Sequence, residues 1–197
     1  MQTSPSITNT NAERTSARLI MRVDRWIYRF AGHWLRWVNV LFVGCISLVL
    51  VAPLLSWLGL HSIGDPIYAV FGVFCHQRDD RSFHIAGHPL ACCERCAAVY
   101  ASLAIGGVFF ALARPHVRRI RYTEAVALCS PLIIDGLAVG AGMYDGNAAI
   151  RVVTGMLFGI GLAWLMFPWL DDGFRQIRSR IETLFDRLVA QGRTSPL

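Results

Sequence analysis

The run VNVLFVGCISLVLVAPLLSWLGL, residues 38–60, carries no charged side chain. A helix of that length is long enough to cross a hydrocarbon core roughly 30 Å thick. Three more apolar runs follow, at about Ala97–Ala113, Ala125–Met143 (interrupted by Asp135) and Val152–Leu170. Core helices of a soluble bundle are typically shorter and keep a polar face. The composition agrees, with 54% hydrophobic residues, 16% charged residues and a mean hydropathy of +0.44. The predicted fold class is therefore all-α: an integral membrane bundle of four transmembrane helices with amphipathic cytoplasmic helices at both ends.

Outward from these runs, the chain divides into three parts. Residues 1–36 comprise a polar start, Met1–Asn11, expected to be disordered, and a basic amphipathic helix. In that helix Arg14, Arg18, Arg22, Arg25 and Arg29 recur three or four apart. Leu19, Val23, Trp26, Ile27, Phe30 and Trp34 do the same on the opposite face. The pattern suits a helix in the headgroup region, its arginines on anionic lipids; packing on the membrane domain fits equally well. The start lacks the apolar core of a secretory signal, so the first run is expected to stay in the bilayer as an anchor.

Residues 37–170 form the four-span membrane domain. Pro53 is a candidate kink in the first span. The apolar stretch Pro66–Cys75 is too short to cross and is expected to be interfacial or re-entrant. Residues 171–197 form an amphipathic tail with the stripe Ile177, Ile181, Leu184, Phe185 and Leu188, and Asp171 or Asp172 can cap its start.

All 19 basic residues are arginines, and their placement orients the bundle. Fifteen lie in the amino-terminal region, the Arg114–Arg121 loop and the tail; four lie in the loops between. The positive-inside rule then puts both termini in the cytoplasm and the loop 61–96 outside. The expected location is a bacterial cytoplasmic (inner) membrane, in multi-pass form. A pI of 9.3 raises the question of nucleic acid. The arginines flank spans and do not decorate a soluble surface, so no nucleic-acid partner is expected.

The outward loop concentrates the reactive residues. Cys75, Cys92, Cys93 and Cys96 lie in it, with His61, His76, His84 and His88. The centre is Cys75-His76-Gln77, followed by the C-x-x-C pair Cys93-Glu-Arg-Cys96 at the start of the second span. Cysteines three apart at a helix start share a face and sit at its positive dipole end, which favours thiolate. Three readings stay open. Cys75, His76, Cys93 and Cys96, with His84 as a substitute, make a tetrahedral set suited to zinc, and copper(I) also accepts soft thiolates. Alternatively Cys75, Cys93 and Cys96 serve a membrane thiol–disulfide oxidoreductase. Or the cysteines form a disulfide stapling the loop of a structural subunit, which docks on another membrane protein or on a second copy. Cys45 and Cys129 lie within spans and read as small buried hydrophobes.

Asp135 lies in the third span, about nine residues from its outer end, roughly 13 Å at the helical rise. A carboxylate at that depth must be protonated, paired or facing a wet cavity. Arg151 and Thr154, at the start of the fourth span, are its candidate partners. Gly136 with Gly140 and Gly155 with Gly159 suggest a tight hairpin of the third and fourth spans. Arg81 and Arg95 flank the cysteines and can lower a cysteine pKa or bind an anion; solvation or a pair with Asp79, Asp80 or Glu94 is the more common outcome.

Cys75-His76-Gln77, Arg81-Ser82-Phe83, Gly87, Pro89, Cys93-Glu-Arg-Cys96 and Tyr100 together resemble the signature of a domain-of-unknown-function family of small polytopic membrane proteins from bacteria and archaea. The likeness continues through Pro131, Asp135-Gly136 and the run Arg151-Val-Val-Thr-Gly155 to Gly159, and covers roughly Ile67 to Leu170. It departs at Ala97-Ala98, where a small polar residue and glycine are expected. The resemblance implies a membrane location and no particular reaction. No Ser/His/Asp set, phosphate loop or H-E-x-x-H motif argues for hydrolysis or nucleotide use.

Overall fold

The computed structural model describes residues 7–114 and 116–192. It consists of α1 (Ile7–Trp57), α2 (His61–Gly72), a 3-10 turn at Asp79–Arg81, a hairpin of β1 (His84–Ile85) and β2 (His88–Pro89), α3 (Glu94–Ala113), α4 (Tyr122–Gly140) and α5 (Ala148–Ala190). The disordered start expected at Met1–Asn11 falls partly outside the described residues; Ile7–Asn11 already belong to α1. The last five residues of the tail also lie outside them.

Among the described residues, four helices are long and apolar enough to cross a membrane: Leu19–Trp57 within α1, α3, α4 and α5. Their outer faces are greasy: Leu112 is 81% exposed and Leu137 68%. In water, leaving such a side chain unburied forgoes about 1.5–3 kcal/mol; lipid removes that cost. The protein is an all-α membrane bundle.

The amphipathic stretches at the two ends are not separate helices. They are continuous with the first and fourth spans inside α1 and α5, the latter running through Pro168 and Gly173. Asp171 therefore caps nothing; it accepts a hydrogen bond from Trp34 Nε1 at 3.3 Å. The α1 segment up to Trp34 and the α5 segment from Asp171 make one compact unit. Trp34 stacks on Phe174 at 5.3 Å and Phe30 meets the same ring edge-on. Tyr28 donates to Glu182 and accepts from Arg178, and the Arg25 guanidinium lies over Phe185. Trp34 of the first stripe and Ile181 and Phe185 of the second are buried. Leu19, Val23 and Trp26 stay exposed.

The second unit, Leu35–Leu170, holds the spans and the loop. Contact between α3 and α5 is backbone-close. A Cβ on Gly155 would stand 2.6 Å from the Arg95 carbonyl oxygen, and one on Gly159 would stand 2.9 Å from that of Val99. So this glycine pair serves the α3–α5 contact and not the expected α4–α5 hairpin. Gly161 supplies the close approach to α4, against Leu128 and Cys129. Asn39 Nδ2 on α1 donates to the Gly107 carbonyl on α3 at 3.2 Å. The short apolar stretch after Pro66 is mostly helix α2, whose Phe71 packs edge-on against Tyr100. Asn147 is more than a turn residue: its side chain accepts from the Ala149 N–H and caps α5.

Candidate metal centre

Two segments far apart in sequence deliver the cysteines. The first follows α2, where the Cys75 N–H donates to the Phe71 carbonyl at 3.0 Å and tucks Cys75 into a buried position. Gln77, in a left-handed conformation with φ 46°, then turns the chain away. Its amide Nε2 donates to the carbonyls of Tyr68 and Ala91, both at 2.7 Å. One side chain thereby ties α2 to the segment leading into α3. The second segment returns through the hairpin, whose turn residues Ala86 and Gly87 both have positive φ, as a tight two-residue turn requires. Leu90, Ala91 and Cys92 are then buried against Val49, Ala52 and Phe71. Cys93 is the N-cap of α3 in extended conformation, and Cys96 lies in the first turn.

The Sγ atoms of Cys75, Cys93 and Cys96 lie within 4.8 Å of one another. The Cys93 N–H donates to Cys75 Sγ at 3.2 Å, so this sulfur sits at the positive end of α3. Hydrogen bonds from Cys92, Cys93 and Cys96 pull the Cys75 thiol far below its ordinary pKa. Donating to Cys75 raises Cys92 and Cys93, and burial adds to both. All six cysteines are free of disulfides. Three sulfurs bound at about 2.3 Å to one ion stand about 3.8 Å apart, a spacing this grouping accommodates.

Among the described residues no histidine nitrogen joins the three sulfurs within that distance. His76 is exposed and lines a cavity of about 340 Å³ beside the thiols. His84 hydrogen-bonds Asp79 at 3.0 Å on the exposed loop. Cys92 is fully buried in the apolar core beneath the cluster, and Cys45 is partly buried against that same core.

The residues between the C-x-x-C cysteines anchor the helix start. Glu94 accepts from Arg151 Nε at 2.7 Å, a buried pair joining α3 to α5. Arg95 Nη2 donates to Asp135 on α4, and Tyr144 donates to the other oxygen of that carboxylate. Asp135 is therefore paired, with Arg95 and Tyr144 in place of the expected Arg151 and Thr154. Thr154 instead bonds back to the Ile150 carbonyl on its own helix. The sequence offers Arg95 as a partner for nearby acids, or as a group that lowers a cysteine pKa or binds an anion, and not as the partner of Asp135. A helix start facing two other helices at once was not visible in it.

A four-span all-α bundle with three thiols gathered at one helix start defines a small polytopic membrane protein. Residues 75–165 match the family described as "Predicted membrane protein (DUF2085)", a match that begins at the first cysteine of the cluster. The chain belongs to that family. It is 32% identical over 100 residues to an uncharacterized protein of Methanothermobacter thermautotrophicus, an alignment covering 48% of this chain and 86% of the relative. It is 27% identical over 132 residues to another from Methanocaldococcus jannaschii, covering 61% and 81%. No solved structure matches the chain.

Proposed function

We propose that Cys75, Cys93 and Cys96 bind one soft metal ion, zinc or copper(I), on the extracytoplasmic side of the cytoplasmic (inner) membrane. The site either stabilises the loop or handles the metal. The observation that carries this reading is the convergence of three sulfurs from two separate segments. A redox C-x-x-C needs only its own two sulfurs, and a stapling disulfide uses two; a third sulfur within 4.8 Å of both suits a shared ion. Zinc takes a fourth donor, for which His76 in the cavity wall would have to rotate inward. Copper(I) accepts soft thiolates alone. The arginine distribution supports cytoplasmic termini and an outward cluster. Leu19, Val23 and Trp26, exposed on a helix that also carries arginines, support contact with anionic headgroups.

The thiol–disulfide reading keeps one observation in its favour, the thiolate character of Cys75 beside a C-x-x-C. Elemental analysis of protein purified from the membrane separates the two. A stoichiometric soft metal that is lost in the Cys93→Ser/Cys96→Ser variant supports the metal site. Absence of metal, with a Cys93–Cys96 disulfide that exchanges with a dithiol, supports the oxidoreductase.

A further inference from the structure

The cavity beside the thiols has a wall that a metal ion alone does not explain. Four arginines line it, Arg78 and Arg81 on the loop, Arg95 on α3 and Arg151 on α5, each also paired with a carboxylate. Their carboxylate partners Asp80, Asp135 and Glu94 are not among its lining residues. Arg95 Nε is buried without a hydrogen-bond partner among the described residues. The lining is thus four arginines, His76 and all three cysteines of the cluster, with Phe74 and Gln77 at the side. A volume of about 340 Å³ falls in the range of small-molecule pockets, about 300–1,000 Å³. It far exceeds the roughly 30 Å³ that one water occupies, so the space suits a polyatomic ligand.

Three thiolates leave one position of a tetrahedral ion open. Cys75, Cys93 and Cys96 all line the cavity, so that position is reached from it. We propose that a small anionic thiol from outside the protein fills it, as the exchangeable partner of the metal site. Its sulfur completes a soft donor set, and its carboxylate or similar oxyanion is held by Arg78 and Arg81, the more exposed arginines of the wall. Planar guanidinium groups favour such oxyanions through paired hydrogen bonds. The proposal rests on the metal reading above. Binding forms a metal–sulfur bond, releases the thiol proton to solvent and changes no oxidation state.

The test uses the full-length protein in detergent, loaded with cobalt(II) as a visible stand-in for zinc. It is titrated with mercaptoacetate and, separately, with the neutral mercaptoethanol. Mercaptoacetate is expected to change the cobalt bands and to bind about tenfold more tightly or better. An Arg78→Gln/Arg81→Gln variant should keep the cobalt spectrum and the mercaptoethanol affinity but lose most of that preference. Equal affinities for the two thiols in the wild-type protein overturn the proposal. So does a spectrum that neither thiol alters but His76→Ala does, because His76 then holds the fourth position. Loss of the bands with either thiol means that cobalt is stripped, which overturns it too. Absence of cobalt–thiolate bands from the outset refutes the metal reading itself, and the proposal falls with it.

Discussion

Replacing Asp135 by Ala should be among the most damaging single changes in the bundle. Its carboxylate is buried, 6% exposed, and accepts from both Arg95 and Tyr144. Truncation leaves the Arg95 charge, itself mostly buried, without its counterion at the junction of α3 and α4. Removing one member of a buried pair typically costs about 3–5 kcal/mol. For a chain of this size that corresponds to a fall of roughly 6–20 °C in Tm. Replacing both members, Arg95→Met with Asp135→Leu, removes the stranded charge and should recover more than half of the loss. The assay is a double-mutant cycle in detergent, following the monodisperse fraction after heating and, independently, denaturant unfolding. A single Asp135→Ala variant within about 1 kcal/mol of wild type would refute the reasoning, since that is the worth of an exposed pair. A double variant no better than the single one would refute it as well.

Three other outcomes follow from the geometry. Gly155→Val should be worse than Gly140→Ala by at least about 1–3 kcal/mol, because a Cβ at 155 meets the Arg95 carbonyl at 2.6 Å while position 140 is open; the same unfolding assay checks it. Gln77→Ala removes both bonds that hold α2 to the Ala91 segment, so metal affinity measured by chelator competition should fall about 10–100-fold, as for other supports of a ligand set. In metal-free protein the Cys75 pKa is depressed, so its thiolate is present above that lowered value and should persist well below the ordinary thiol range of about 8.5. Thiolate ultraviolet absorbance at about pH 6 should therefore be present in wild type and absent in Cys75→Ser, and equal absorbance in the two would contradict the assignment.

The spans were legible because length and apolar composition suffice to define them: the run at 38–60 and its three successors each fall in a helix that can cross a membrane. The amphipathic ends read correctly as helical but wrongly as separate, since periodicity reports a helix face and says nothing about where a helix continues. The partner of Asp135 was misread for a related reason. Spacing along α4 and α5 suggested Arg151, yet the pairing is decided by α3, whose start offers Glu94 to α5 and Arg95 to α4. Gly155 and Gly159 signalled a close contact without saying with which helix. At the cysteines, the C-x-x-C pair on one helix face was legible from its spacing, whereas the approach of Cys75 depends on Gln77 and the hairpin, whose contacts are not local. The place of His76 in the cavity wall is likewise set by the left-handed turn at Gln77, just after it.

X-ray absorption at the edge of the bound metal in purified wild-type protein tests the central claim most directly. Three sulfur neighbours at about 2.3 Å, with one fewer in each of Cys75→Ser, Cys93→Ser and Cys96→Ser, is the predicted result. A first shell of nitrogen and oxygen atoms unchanged by those substitutions would contradict it.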